Sequence, residues 1–157
     1  MAIKDIKARL QNRVQAADPQ AKVHTYMRNL TGEIDQNLLV GTDGKLHVWF
    51  IRRESSILAD LVINEGFVEQ KDTFLMEGFY AVNDAADSEE AFEALVDVVL
   101  QTVDADRRAG AGTKLNGTVQ TAGAPALRKM DFAMFGQTQA LCHHAEIVIT
   151  VTPRYLQ

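Results

Sequence analysis

The chain has 157 residues, 46% of them hydrophobic and 24% charged, with a formal net charge of −5. That length fits one domain, residues 1–157, able to bury roughly 70% of its unfolded surface, so folding requires neither a disulfide nor a metal. The composition excludes wholesale disorder. The charge argues against gripping nucleic acid by its phosphates, which needs a concentrated basic surface. Arg52-Arg53 and Arg107-Arg108 are the only Arg pairs. Cys142 is the single cysteine and allows no intrachain disulfide. The opening Ala2-Ile3-Lys4-Asp5 lacks the apolar core of a secretory signal, and no apolar run approaches the ~20 residues of a membrane span. The expectation is a protein made in a reducing cytoplasm, with no membrane partner.

Ile3, Ile6, Leu10, Val14 and Ala17 recur at helical spacing, predicting an N-terminal helix over residues 3–17 that Asp18-Pro19 ends. Residues 22–29 read as a strand, with Val23, Thr25 and Met27 alternating against His24, Tyr26 and Arg28. Asp43-Gly44 predicts a turn into a strand over residues 46–52, rich in β-formers. Residues 57–63 are apolar and read as extended, with a helical turn at Ala59-Asp60-Leu61 the alternative, while the spans 36–43 and 55–72 as wholes fit no pattern. Residues 73–83 alternate as a strand, and Gly78 within it predicts a bulge or a close backbone approach.

Asp87 or Ser88 suits a helix N-cap, and Glu89 and Glu90 complement the helix dipole. Phe92, Leu95, Val96, Val99, Leu100 and Val103 then form an apolar stripe expected to pack on a sheet. Residues 107–113, which include Gly110 and Gly112, read as a loop. A short strand over 115–120, a loop over 121–129 around Pro125, and a strand over 130–135 follow. After a turn at Gly136-Gln137, residues 140–152 form the last strand. One face of it carries Leu141, His143, Ala145, Ile147, Ile149 and Val151, and the other Cys142, His144, Glu146, Val148 and Thr150. The fold class is therefore α+β: an antiparallel or mixed sheet with an N-terminal helix and a second amphipathic helix packed on it.

Little in the sequence reads as chemistry. Cys142, His144 and Glu146 share a strand face, but no second cluster completes a usual zinc spacing, so structural or interfacial roles are expected and no metal site is assigned. A Cys142 nucleophile would need His24 or His47 beside it, since His143 points to the opposite face. Gly110-Ala111-Gly112 follows a helix rather than a strand, the wrong context for a phosphate loop. Capping accounts for the acidic residues Asp84, Asp87, Glu89 and Glu90. Trp49-Phe50 and Phe79-Tyr80 put aromatics on both strand faces, which implies a fully covered sheet or a subunit interface. No catalytic residue and no cofactor are assigned.

The run Phe74-Leu75-Met76-Glu77-Gly78-Phe79-Tyr80-Ala81-Val82-Asn83-Asp84, the helix from Ser88 to Val103, the Gly-rich loop and the final strand from Cys142 to Val151 resemble, in element order, the tail terminator proteins of long-tailed bacteriophages. The resemblance covers nearly the whole chain and rests on architecture more than on motifs. It implies a virion structural protein, not an enzyme, assembled in the bacterial host cytoplasm. Such a protein forms a homo-oligomeric ring, commonly a hexamer, in the neck. The ring caps the tail tube, stops tail polymerisation and offers a docking face to the head-tail connector. Its partners are itself, the tail tube protein and connector or neck proteins, and DNA passes through without specific binding. On that reading Arg52, Arg53, Arg107, Arg108, Gly110, Gly112 and Pro125 are expected at subunit or tail and head contacts, where forked arginine donors and adaptable loops are favoured. The alternatives are another neck, head-completion or baseplate protein, or a bacterial small-molecule-binding α+β module, which would need a closed apolar pocket.

Overall fold

The computed structural model describes residues 3–25, 39–60, 68–83, 87–108, 119–135 and 140–153. The elements run α1 (Ile3–Ala17), β1 (Lys22–His24), β2 (His47–Asp60), β3 (Val68–Ala81), α2 (Ser88–Arg108), β4 (Val119–Ala122), β5 (Ala126–Phe135) and β6 (Ala140–Pro153). The sheet order is β1-β2-β3-β6-β4, with β5 also paired to β6. Among the described strands only β1 runs parallel to its neighbour, so the sheet is mixed and the class is α+β, as the sequence predicts.

Both helices cover the same sheet face. Ile6, Leu10 and Val14 of α1 and Phe92, Val96, Val99 and Val103 of α2 are fully buried against Trp49, Ile51, Phe74, Met76, Ile147 and Ile149. Burying the four α2 side chains contributes about 6–12 kcal/mol in gross transfer terms, an upper bound. Leu95 and Leu100, expected in the same stripe, are only partly buried because they lie on its flanks. Arg9 of α1 forks onto Asp106 of α2 at 2.7 and 3.0 Å, tying the helices together near the end of α2.

Gly78 is a close approach and not a bulge. It pairs with Trp49, whose indole lies over it so tightly that a Cβ would sit 2.8 Å from the ring. The irregularity in that strand pair falls at Arg53/Ser55 instead. At the start of α2, Asp87 takes the cap position with its carbonyl accepting from Ala91 N–H, on a backbone of φ 50°. Ser88 turns away from the helix: its hydroxyl accepts from Asn83 N–H at 2.8 Å and meets His143 Nε2 at 2.8 Å.

Several boundaries differ from expectation. Arg107 and Arg108 belong to the last turn of α2 and not to a loop, their cationic side chains suiting the negative end of the dipole. The expected loop over 121–129 shrinks to residues 123–125, because β4 and β5 pair in succession along one edge of β6 and form a single broken strand. Pro125, which has no N–H to give a ladder, sits in that break. Its neighbour Gly123 still donates to Thr150 O at 2.9 Å. β2 runs on from the predicted strand through residues 57–60, which the sequence reads as extended, and β3 starts at Val68, before the predicted residue 73, and ends at Ala81. Most of the expected strand over 22–29 and of that over 115–120, the loop glycines Gly110 and Gly112, and the turn at Gly136-Gln137 lie outside the described residues.

Candidate functional site

The extra length of β2 and β3 has a topological consequence. The pairing of β3 with β6 stops at Asp72↔Val151, whereas β2 and β3 stay paired on to Asp60↔Val68. Residues 57–60 and 68–71 therefore form a two-stranded ribbon that, among the described residues, has left the shelter of the third strand. Ile57 and Leu58, adjacent and so on opposite ribbon faces, are 64% and 68% exposed.

At the edge of the sheet formed by β5, α2 leaves part of the strand uncovered. Leu127, Phe132 and Met134 of β5 pair with Ile147, His143 and Leu141 of β6 and so stand on the helix side of the sheet. Leu127, Phe132, Met134 and Leu141 are 41–55% exposed and make an apolar strip flanking α2. A cleft of about 180 Å³ between the strip and the start of α2 is lined by Glu89, Phe92, Glu93, Met130, Asp131, Phe132 and His143. A shallower groove between the helices is lined by Arg13, Val98, Gln101, Thr102, Ala105 and Asp106. Both have charged walls, unlike the closed apolar pocket of a small-molecule module.

The helix-free face of the sheet carries ionisable groups. His144 of β6 reaches Asp131 of β5 through Nδ1 at 2.7 Å and Glu77 of β3 through Nε2 at 2.8 Å, with Glu146 Oε1 at 4.0 Å. Glu77 and Glu146 are direct cross-strand partners. Arg128, at the register shift in β5, spans from Glu146 to Glu54 of β2, while Lys129 Nζ lies 3.3 Å from Asp131. The hydrogen bond that His144 donates to the Glu77 carboxylate raises its pKa above the ordinary 6.5 despite burial, with Asp131 adding to the effect. Beside this cluster an aromatic row crosses four strands: His24 and Phe50 at 5.7 Å, Phe50 and Phe79 at 6.1 Å, and Phe79 and His144 at 4.9 Å between ring centroids.

The histidines and the cysteine do not come together as a catalytic pair. Cys142 is buried, its thiol donates to Ala133 O at 3.2 Å, and burial pushes its pKa up to about 11, the reverse of an activated nucleophile. His47 lies on the helix face, edge-on to Tyr80. It is locked between Asp18, which also accepts from Trp49 Nε1 at 3.0 Å, and Asp43. This buried polar staple joins the end of α1 to β2.

The arginines singled out from the sequence divide. Arg52 and Arg53 are exposed neighbours on β2, and Arg53 lies 3.9 Å from buried Asp72. Arg107 and Arg108 both pair with Asp104 within α2, so much of their charge is answered locally. Pro125 lies on the outer edge beside the apolar strip. Sequence reasoning missed Glu77, Asp131 and Arg128. A lone carboxylate inside the apolar run Leu75-Met76-Glu77-Gly78-Phe79 was the one available signal, but its partners come from strands about 50 to 70 positions away.

Among the described residues, no helix is long and apolar enough to cross a membrane. The fold and surface together define a class: a mixed-sheet α+β domain with one helix-covered face, one charged face and two apolar features left uncovered, one at the β5 edge and one at the projecting ends of β2 and β3. No protein-family model and no curated protein matches the chain.

Proposed function

We propose that this chain is a ring-forming structural protein, and that its ring is a bacteriophage tail terminator. The observation that carries self-assembly is the apolar strip Leu127, Phe132, Met134 and Leu141. Contiguous exposed apolar surface of this kind marks contact sites. The partner offered is a second copy, because the same chain carries a projecting ribbon with Ile57 and Leu58 exposed, and a lone two-stranded ribbon is marginal in water. Strip and ribbon are different surfaces, one at the β5 edge and one at the projecting ends of β2 and β3, so joining them is a heterologous contact. Repeated, such a contact closes a ring when the rotation allows. The terminator identity draws on the resemblance in element order. A formal charge of −5 per subunit suits a neutral to acidic channel that lets DNA slide, since each Lys or Arg paired to phosphate would add affinity. On this reading the ring, commonly a hexamer, sits in the virion neck between tube and connector, with Arg52 and Arg53 at protein contacts.

The test is native mass together with a density map of the particle neck. The expected outcome is a closed ring on the tail axis, and the double substitution Phe132→Asp, Met134→Lys should leave a folded monomer. Isolated copies off the axis, a strongly basic lumen, or an undisturbed ring in the double variant would overturn the reading.

A further inference from the structure

We propose that Glu77, His144 and Glu146 on the helix-free sheet face form a binding site for one divalent first-row transition ion, with Zn²⁺ the best fit. The inference is independent of the ring. One imidazole nitrogen and two carboxylate oxygens, one from each residue, lie within 4.8 Å of one another. Zinc bonds such nitrogen and oxygen ligands at about 2.0–2.2 Å, which asks the three side chains to adjust by fractions of an ångström to about one. The His144, Glu77 and Glu146 side chains are 8%, 13% and 17% exposed, so the site is sheltered yet reachable from the bare face.

Two further features separate this cluster from an ordinary acidic patch. Glu77 and Glu146 stand directly opposite each other across paired strands, and both converge on one ring nitrogen, with His144 Nε2 2.8 Å from Glu77 Oε2 and 4.0 Å from Glu146 Oε1. Asp131 engages His144 Nδ1 at 2.7 Å, which aims Nε2 at the two glutamates. A carboxylate behind the non-ligating nitrogen is the usual support of a metal-bound histidine, fixing both its tautomer and its orientation. Arg128 and Lys129 hold Glu146 and Asp131 from outside and keep them in place. Three protein ligands leave at least one position for water or for a group from a partner, and the imidazole favours zinc over magnesium. Cys142, two residues before His144 on the same face, is outside the ligand set because its thiol donates to Ala133 O.

The experiment is calorimetric titration of the chelator-treated full chain with Zn²⁺, paralleled by the visible spectrum of the Co²⁺ form. One ion per chain is expected, with an absorption typical of low-coordinate Co²⁺ and a zinc-dependent rise in Tm. His144→Gln and Glu77→Gln should abolish specific uptake. Asp131→Asn, which keeps every ligand, should weaken binding about 10- to 100-fold. Cys142→Ser should bind as the parent does, and Mg²⁺ should not compete. The parent titration and the Co²⁺ spectrum judge the proposal even where a variant fails to fold. Absence of stoichiometric zinc uptake by the parent chain, uptake unaffected by His144→Gln, or loss of uptake in Cys142→Ser would each overturn it.

Discussion

The two faces of the sheet are built from the same strands and hold opposite contents. On the helix side, Trp49, Phe74, Met76, Phe92 and Ile147 are fully buried in one continuous apolar cluster. On the other side the buried cluster shrinks to Leu39, Val48, Phe50, Phe79 and Cys142, and next to it stand Glu54, Glu77, Asp131, His144 and Glu146. The difference teaches where stability and chemistry reside. The covered face holds the fold together through area removed from water, and the bare face carries a network of ion-paired and hydrogen-bonded groups.

The largest test of that division is Phe92→Ala. Phe92 is fully buried, stacked on Tyr80 at 5.7 Å and near Trp49 at 6.3 Å, so its loss should cost about 3–5 kcal/mol in urea unfolding. Leu95→Ala on the flank of the same helix should cost well under half as much. Equal costs would mean that the stripe is not divided as described.

Next comes Gly78→Ala. The added Cβ would sit 2.8 Å from the Trp49 ring, and overpacking of this kind should destabilise by about 1–3 kcal/mol and perturb tryptophan fluorescence. An unchanged spectrum with unchanged stability would remove the close approach from the account.

The buried staple should make stability depend on pH. Burial alone would lower the His47 pKa, but the hydrogen bonds and charges of Asp18 and Asp43 outweigh it and raise the value above the ordinary 6.5, with Tyr80 the other titratable ring against it. A histidine whose folded value is raised stabilises most fully below about 6.5 and loses that contribution as pH rises through the folded value. Unfolding free energy should therefore fall across the neutral to mildly alkaline range, and His47→Gln should flatten part of that slope. His144, whose pKa shifts the same way through its bond to Glu77, adds to that slope.

The smallest effect belongs to the bare face. Arg128 is 41% exposed, and pairs of that exposure contribute about 0–1 kcal/mol, so Arg128→Ala should barely move the unfolding midpoint. A loss comparable to that of Phe92→Ala would mean that both faces carry the fold.

The sequence alone determined the local grammar. The spacing of Ile6, Leu10 and Val14 marked α1, that of Phe92, Val96, Val99 and Val103 marked α2, and alternation placed His143 and His144 on opposite faces of β6, because helix and strand periods are local properties. Turn chemistry likewise located Gly44, whose φ is 77°. Only the tertiary structure decided what those faces meet. It joined the extended residues 57–60 to β2 and paired them with 68–71 as a ribbon, a pairing that the sequence does not mark because the stretch shows no alternation. It split the α2 stripe into buried and half-buried positions, and it turned Arg107 and Arg108 from loop residues into a helix end. It also set Glu77 opposite Glu146 and Asp131 behind His144, and closed Asp18 onto His47. These contacts join residues about 10 to 70 positions apart, and strand order and register alone fix which of them become neighbours.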